Sequence, residues 1–253
     1  MNTQPIQRAK YSGWFLLVTA SFVTVLITSN ILAVKLIKIG PLDMDAGNII
    51  FPISYIFGDI LTEVYGYGRS RRVIWLGFLC NLFAVTAFAA AQRIPPAPFW
   101  EGQAAYETIL GFTPRILVAS FCAYLCGEFM NSYVLAKMKL MTKGKHLWTR
   151  TIGSTMAGQA VDSTIFVTVA FAGVYPASDL MGVVASQWLF KTSYEALMTP
   201  VTYKVVNFLK REEQVDHYDW NTNFNPLKLA ETIAEAENGT KAPAPQTPTT
   251  SAK

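Results

Sequence analysis

The chain has 253 residues, of which 51% are hydrophobic and only 15% carry a charged side chain. Soluble domains usually carry about 25% charged residues. The formal net charge of +4 does not indicate nucleic-acid binding, because the basic residues fall in short clusters between apolar runs. Composition therefore excludes an ordinary soluble domain and predicts an all-α integral membrane protein with no nucleic-acid partner.

Six apolar stretches are each long enough to cross a hydrocarbon core of about 30 Å, which takes about 20 residues. They cover residues 13–37, 48–66, 73–92, 116–140, 151–174 and 180–208. The sequence predicts a six-transmembrane-helix bundle over residues 13–211, between a short N-terminal segment (1–12) and a polar tail (212–253). The second stretch is the least hydrophobic. The low-complexity end of the tail predicts that the tail is largely disordered.

Basic residues indicate how the bundle is oriented. They cluster after the second, fourth and sixth stretches, for example at Arg69, Arg71 and Lys210, whereas the opposite loops are poorer in them. By the positive-inside rule, both termini are predicted to be cytoplasmic in a multi-pass protein of the cell inner membrane. The connection between the third and fourth stretches has two interpretations: an interfacial hairpin, or a plain connector anchored by Trp100.

Ionisable side chains recur near the middle of four predicted helices. They are Asp59, Glu128, Asp162, Lys191 and Glu195. A charged group at the bilayer centre costs about 2.5–3.5 kcal/mol on insertion scales, so each needs a partner or a function. Polar residues spaced by three or four share one helix face. Such polar faces satisfy each other only in a shared interior, which predicts a polar pocket near the midplane, where transporters bind substrate.

The predicted substrate-binding residues are Tyr55, Asp59, Glu128, Asn131, Gln159, Asp162, Lys191 and Tyr194. Glu63, Arg69 and Glu195 are assigned to gating or coupling. The alternative for Lys191 and Glu195 is an ion pair within one helix, and Glu63 is expected to pair with Arg69 or Arg71. Asn30 and Asn81 are expected to hydrogen-bond between helices rather than to bind ligand.

No enzyme signature is found in the sequence. Walker A, GxSxG, HExxH and dinucleotide-binding patterns do not occur, so no catalytic residue, cofactor or metal site is predicted. The three cysteines all fall in apolar stretches and are interpreted as small buried hydrophobic residues. An intramembrane enzyme that uses Asp59 and Asp162 as an acid–base pair is the least supported hypothesis.

Three segments carry a resemblance to a known family. The block Phe51–Gly77, FPISYIFGDILTEVYGYGRSRRVIWLG, resembles the signature of the VUT (vitamin uptake transporter) family of queuosine precursor transporters. Gly127–Asn131 (GEFMN) and Gly158–Ser163 (GQAVDS) are similar to the motifs of its fourth and fifth spans. The resemblance covers about residues 11–212 and leaves out the tail.

The resemblance implies import of 7-cyano-7-deazaguanine and 7-aminomethyl-7-deazaguanine across the inner membrane. Carboxylates of the predicted pocket suit the donor edge of a guanine-like base, and aromatic rings suit its faces. The six-helix plan also resembles the substrate-binding subunits of energy-coupling-factor vitamin transporters. A substrate-binding subunit of an ATP-driven vitamin or nucleobase uptake complex therefore stays open as the alternative. The chain is expected to be a monomer or homodimer in the lipid bilayer, and proton coupling and facilitated diffusion both stay open.

Overall fold

A computed structural model of the chain describes residues 12–39, 42–111, 114–174, 176–220 and 222–229. These residues form six long helices, one short helix and one two-stranded hairpin. The long helices are α1 (Gly13–Leu32), α2 (Gly47–Tyr65), α3 (Tyr67–Arg93), α5 (Pro114–Met141), α6 (Leu147–Phe171) and α7 (Ala177–Glu213). The short helix is α4 (Gln103–Leu110), and the hairpin consists of β1 (Leu36–Ile39) and β2 (Leu42–Asp45).

The hairpin corrects the predicted end of the first span. That span was expected to continue to Ile37, but α1 ends at Leu32 and the chain enters an antiparallel pair in which Leu36 faces Asp45. β-Branched residues such as Ile37 and Ile39 favour extended backbone over helix. The Ala46 N–H donates to the Lys35 carbonyl at 2.8 Å and closes the base of the hairpin. The hairpin thus leads directly into the first turn of α2.

The bundle has two ends, which we name by what lies there. The hairpin end is where α1 ends and α2 begins, and the tail end is where α1 begins and α2 and α7 end. At the tail end, residues 214–220 and 222–229 lie against the bundle. His217 donates its N–H to the Val64 carbonyl at 3.2 Å, and the Asp219 carboxylate accepts from the Tyr67 N–H at 3.1 Å.

The predicted tail, which begins at residue 212, therefore includes a segment that packs on the helices. His217, Tyr218 and Asp219 are all buried. Burial raises the pKa of the Asp219 carboxyl despite the nearby His217 and the hydrogen bonds it accepts. The disorder predicted for residues 230–253 falls outside the described residues and stays a prediction.

Three stretches of the described chain are apolar and long enough to cross a membrane. They are Gly13–Leu32, Tyr67–Arg93 and Gln103–Met141. The other three long helices, α2, α6 and α7, hold most of the buried polar side chains, which lower their hydropathy. Leu16, Phe83 and Leu197 point outward with more than half of each side chain exposed, as expected of a lipid-facing surface.

Helix α7 differs most from its predicted span. It has 37 residues and is therefore about 55 Å long, well beyond the ~30 Å of a hydrocarbon core. It continues through Pro200, as α2 does through Pro52. The connection before α5 contains the eight-residue helix α4, which neither interpretation of this connection included.

Candidate functional site

A cavity of about 620 Å³, which includes the part open to solvent, lies at the hairpin end of the bundle. Five of the long helices and the start of α2 enclose it. Its polar and aromatic lining consists of Ser29, Asn30, Asp45, Asn48, Phe51, Asn81, Ser120, Tyr124, Asp162, Phe166, Gln187 and Lys191. Polar and aromatic side chains that converge on one cavity are typical of small-molecule sites. The lining therefore suits a small flat molecule.

An ion pair between two helices forms part of the cavity wall. Lys191 on α7 donates from Nζ to Asp162 Oδ2 on α6 at 2.8 Å, and both side chains are only 6% exposed. The ammonium also lies 4.6 Å from the centre of the Phe51 ring on α2. Lys191 thereby links α7 to α6 through Asp162 and to α2 through Phe51. The ion pair expected as an alternative between Lys191 and Glu195 does not form.

The hairpin contributes an acidic group to the same cavity. Asp45 accepts from the Asn48 backbone N–H at 3.1 Å and from its side-chain amide at 2.7 Å. Backbone N–H groups in the first turn of a helix have no partner within that helix. The bond to Asp45 therefore satisfies a donor at the start of α2. Burial raises the pKa of the Asp45 carboxyl, while the Asn48 bond and the charge of Lys191 act in the opposite direction. Asp45 and Asn48 were not predicted, because no pattern in the sequence indicates that the loop between α1 and α2 folds onto the bundle.

An amide bridge crosses the cavity between α1 and α3. Asn30 donates from Nδ2 to Asn81 Oδ1 at 3.0 Å. The two residues therefore form the interhelical hydrogen bond expected of them. Both also line the cavity, so their amides lie within reach of a bound molecule.

A second group of polar side chains lies deeper in the bundle, and we call it the buried layer. Its members are Tyr55, Asp59, Glu128, Asn131, Gln159, Ser163 and Glu195, all of them 0% exposed. Asn131 donates from Nδ2 to Asp59 Oδ1 at 2.7 Å. Both carboxylate oxygens of Glu128 and of Glu195, both amide atoms of Gln159 and the Tyr55 hydroxyl have no hydrogen-bond partner among the described residues. Buried polar atoms are nearly always paired, so this concentration indicates a place where something else binds.

Glycines bring the helices of the buried layer together. A Cβ at Gly127 would lie 2.5 Å from the Tyr55 hydroxyl, and one at Gly158 would lie 2.9 Å from the Gly127 carbonyl. A Cβ at Gly58 would lie 2.9 Å from a Glu128 carboxylate oxygen. Any side chain at these positions would push α2, α5 and α6 apart. The three glycines thus hold Tyr55 and Glu128 against neighbouring backbone.

The tail end is closed by ion pairs around Glu63. Arg150 binds the Glu63 carboxylate with two hydrogen bonds of 2.8 Å, and Lys210 donates to it at 2.6 Å. Lys139 lies 3.5 Å from the same carboxylate and donates to the Glu63 carbonyl at 2.6 Å. Asp216 of the returning segment bonds both lysines, at 2.7 and 2.8 Å. We call these five residues the Glu63 cluster.

The predicted partners of Glu63 are therefore wrong. Arg71 instead donates to the carbonyls of Asn223 and Asn225, at 2.7 and 2.8 Å, and Arg69 is half-buried apart from the Glu63 cluster. Arg69 and Arg71 follow Glu63 by six and eight residues, but α2 ends at Tyr65 and Gly66 turns the chain with φ of 84°. The turn directs the arginines toward the returning segment.

The structure separates the predicted substrate residues into three places. Asp162 and Lys191 line the cavity, and Tyr194 packs against the apolar core. The remaining five belong to the buried layer. This layer adjoins the cavity, because the Cβ of the cavity residue Asp162 and the hydroxyl of the buried-layer residue Tyr55 both lie against Gly127. The prediction of a shared polar interior placed these side chains on the correct inner faces, but it did not separate an open cavity from a closed layer beneath it.

The fold and this interior define a helical membrane protein with an internal polar cavity, which is the architecture of a small-molecule transporter. A family model described as "Putative vitamin uptake transporter" matches residues 45–205. This range includes every polar and aromatic residue of the cavity lining outside α1. The match covers more than half of the sequence, and the chain belongs to this family.

Relatives of known name agree with the family. The chain is 30% identical over 200 residues to the "Probable queuosine precursor transporter" of Bacillus subtilis (strain 168), covering 79% of this chain and 86% of the relative. It is 24% identical over 165 residues to the "Queuosine precursor transporter" of Escherichia coli (strain K12), covering 65% of this chain and 71% of the relative. No solved structure matches the chain. Membership of the family makes this chain a transporter, with its apolar helices in a membrane.

Proposed function

We propose that the chain imports the queuosine precursors 7-cyano-7-deazaguanine and 7-aminomethyl-7-deazaguanine, and that the cavity at the hairpin end binds them. The names of the relatives support the substrate class. The observation that supports the place is the Asp162–Lys191 pair in the cavity wall, near the Glu128 carboxylate, which has no hydrogen-bond partner among the described residues. A guanine-like base has a donor edge that a carboxylate accepts in two hydrogen bonds.

The lining suits the other parts of such a base. Phe51 and Phe166 supply rings for its two faces, and base–aromatic stacking contributes about 1–3 kcal/mol per base in measured cases. Asn30, Asn48 and Gln187 supply amides that both donate and accept, as the carbonyl and ring nitrogens of the base require. In this arrangement Tyr55, Glu128 and Gln159 receive the donor edge, and Asn131 fixes the deeper Asp59.

The two ends of the bundle then have different roles. With both termini in the cytoplasm of a cell with an inner membrane, the cavity opens away from the cytoplasm and the Glu63 cluster closes the cytoplasmic side. Release of substrate inward requires those ion pairs to separate, which fits the gating role predicted for Glu63. In this proposal the arrangement is an outward-open state of the importer.

Queuosine in transfer RNA provides the test. A strain that makes no queuosine precursor is supplied with limiting 7-cyano-7-deazaguanine, with and without this chain. We expect queuosine only, or mainly, in the strain that carries the chain. Equal queuosine levels in the two strains would contradict the proposed function.

Variants test the place of binding in the same strain. Asp162→Asn and Glu128→Gln each remove a charged acceptor, and loss of a charged hydrogen bond costs about 1.5–3 kcal/mol. We expect uptake about tenfold to a hundredfold lower, with normal amounts of protein in the membrane. Glu101→Gln, which changes an exposed carboxylate outside the bundle, is the control. Full activity of both cavity variants would place the substrate elsewhere.

A further inference from the structure

Two buried carboxylates remain after the substrate cavity and the Glu63 cluster are accounted for. Asp59 on α2 and Glu195 on α7 are both 0% exposed. Asp59 Oδ2 and both oxygens of Glu195 have no hydrogen-bond partner among the described residues. Of the charged groups around Asp59, Glu195 acts on it most strongly. Helices α2 and α7 pack against each other, so these two buried carboxyl groups form an acidic pair in a dry part of the bundle.

No cation of the described interior is available to neutralise this pair. Lys191 is bonded to Asp162, and Arg150, Lys139 and Lys210 are bonded to Glu63. Two adjacent carboxylates cannot both be ionised in a low-dielectric interior, because burial and mutual repulsion both oppose it. At least one proton must therefore be bound when the pair is enclosed as it is here.

The surroundings of the pair contain further evidence of a missing partner. The Tyr55 hydroxyl is completely buried, has no hydrogen-bond partner and lies among the carboxylates of Asp162, Glu128 and Asp59. The described residues contain no group of three or more His, Cys, Asp or Glu side chains arranged to hold a metal ion. A proton fits these observations better than a sodium ion, which needs a nearly complete shell of oxygen ligands.

The pair lies between the cavity and the closed end. Glu195 is four residues after Lys191 on α7, and Asp59 is four residues before Glu63 on α2, so each carboxylate is one helical turn from one of the two ionic sites. The ionisable groups that face this region are Tyr55, Glu63, Tyr124, Glu128, Asp162 and Lys191, and α1 contributes none.

We propose that Asp59 and Glu195 share one proton that is carried with each substrate molecule, so that the chain is a proton symporter. The proposal rests on the proposed function. The proton enters from the hairpin end and leaves to the cytoplasm, and only an O–H bond is made and broken. When the pair loses its proton, Glu195 becomes a second anion one turn from Lys191 and competes with Asp162 for the ammonium. Proton release is thereby linked to the ion pair that lines the substrate cavity.

Proteoliposomes of the full chain test the proposal with labelled 7-cyano-7-deazaguanine. Counterflow at equal pH reports transport alone, and uptake with the outside more acidic by one pH unit reports coupling. One proton per substrate allows about tenfold accumulation per pH unit. We expect about tenfold accumulation for the native chain and for Glu101→Gln. For Glu195→Gln we expect a ratio near one between uptake with and without the gradient.

Three results would overturn the proposal. They are a native chain that shows counterflow but no response to the pH gradient, a Glu195→Gln variant with the native ratio, and accumulation driven by a sodium gradient instead. Absence of counterflow in the native chain would refute the proposed function rather than the proton site.

Infrared titration of the purified chain tests the proton site without a transport measurement. Two variants are compared, so the test does not depend on the correct folding of a single one. We expect the C=O stretch of a protonated carboxylic acid near neutral pH, reduced in both Glu195→Gln and Asp59→Asn and unchanged in Glu101→Gln. A native spectrum without this band, or the full band in both variants, would overturn the proton site.

Discussion

Glu63 shows how a buried charge is neutralised by specific partners in this bundle. Its carboxylate receives a two-bond contact from Arg150, which matches the planar fork of a guanidinium, and single contacts from two lysines. The side chain is 0% exposed, so an uncompensated charge here would be costly. The cations depend on Glu63 in the same way, because Lys139 is 1% exposed.

Glu63→Gln is expected to destabilise the chain strongly. The substitution keeps the shape of the side chain but leaves Arg150, Lys139 and Lys210 without their shared anion. Breaking one buried pair costs about 3–5 kcal/mol. Unfolding of the purified protein in detergent, by heat or denaturant, measures the effect. Glu101→Gln is the control and should change stability by less than about 0.5 kcal/mol. Equal stability of the two variants would contradict the account of this cluster.

Sequence patterns predicted which residues face inward, but they did not predict the partners. Helical spacing correctly placed Asp59, Glu128 and Asp162 on inner faces, because three- and four-residue intervals fix the face of a helix. Partners depend on the rotation and depth of different helices, which spacing within one helix does not contain. Glu63 was therefore assigned to arginines near in sequence, whereas its partners come from the distant helices α5, α6 and α7.

Two elements were not predicted from the sequence, the hairpin and the segment after α7. Both are held by hydrogen bonds to backbone groups. Helix bounds follow from apolar runs, and five of the six long helices contain their predicted spans apart from a few terminal residues. The exception is α1, which ends before the hairpin. The hairpin and the segment 214–229 carry no long apolar run, and what holds them is a set of backbone hydrogen bonds. Arg71 and Trp75 donate to backbone carbonyls of that segment.

Arg71→Met is expected to release the segment 214–229 from the tail end. Arg71 is 1% exposed and donates to two carbonyls, and each charged hydrogen bond contributes about 1.5–3 kcal/mol. We expect faster hydrogen exchange at the His217 amide, which bonds the Val64 carbonyl, and faster proteolytic cleavage after residue 214. Arg211→Met, at an exposed arginine of α7, is the matched control. Native exchange and cleavage rates in Arg71→Met would show that other contacts hold the segment.

At the scale of the whole molecule, the two ends of the bundle differ in charge and in openness. The hairpin end contains the cavity, with one internal ion pair and several amides. The tail end contains the Glu63 cluster and the basic residues that follow α2, α5 and α7. Basic residues favour the cytoplasmic side of a membrane, so this asymmetry predicts the orientation as well as the direction in which the cavity opens.

Single cysteines provide a test of the orientation. In a chain whose Cys80, Cys122 and Cys126 are replaced by alanine, we expect Glu101→Cys, near the hairpin end, to react with a membrane-impermeant maleimide added outside the inner membrane. Glu212→Cys, at the tail end, should react only after the membrane is permeabilised. Both positions are exposed, so accessibility depends on the side of the membrane alone. The opposite labelling would reverse the orientation and the assignment of the open side.

The central claim is that this chain by itself binds and moves a deazaguanine through the cavity beside Asp162. The most direct measurement is uptake of labelled 7-cyano-7-deazaguanine by liposomes that contain only the purified chain. We predict saturable uptake that unlabelled substrate competes away and that Asp162→Asn lowers about tenfold or more. Binding without uptake would contradict the claim and identify the chain as the substrate-binding subunit of a larger complex.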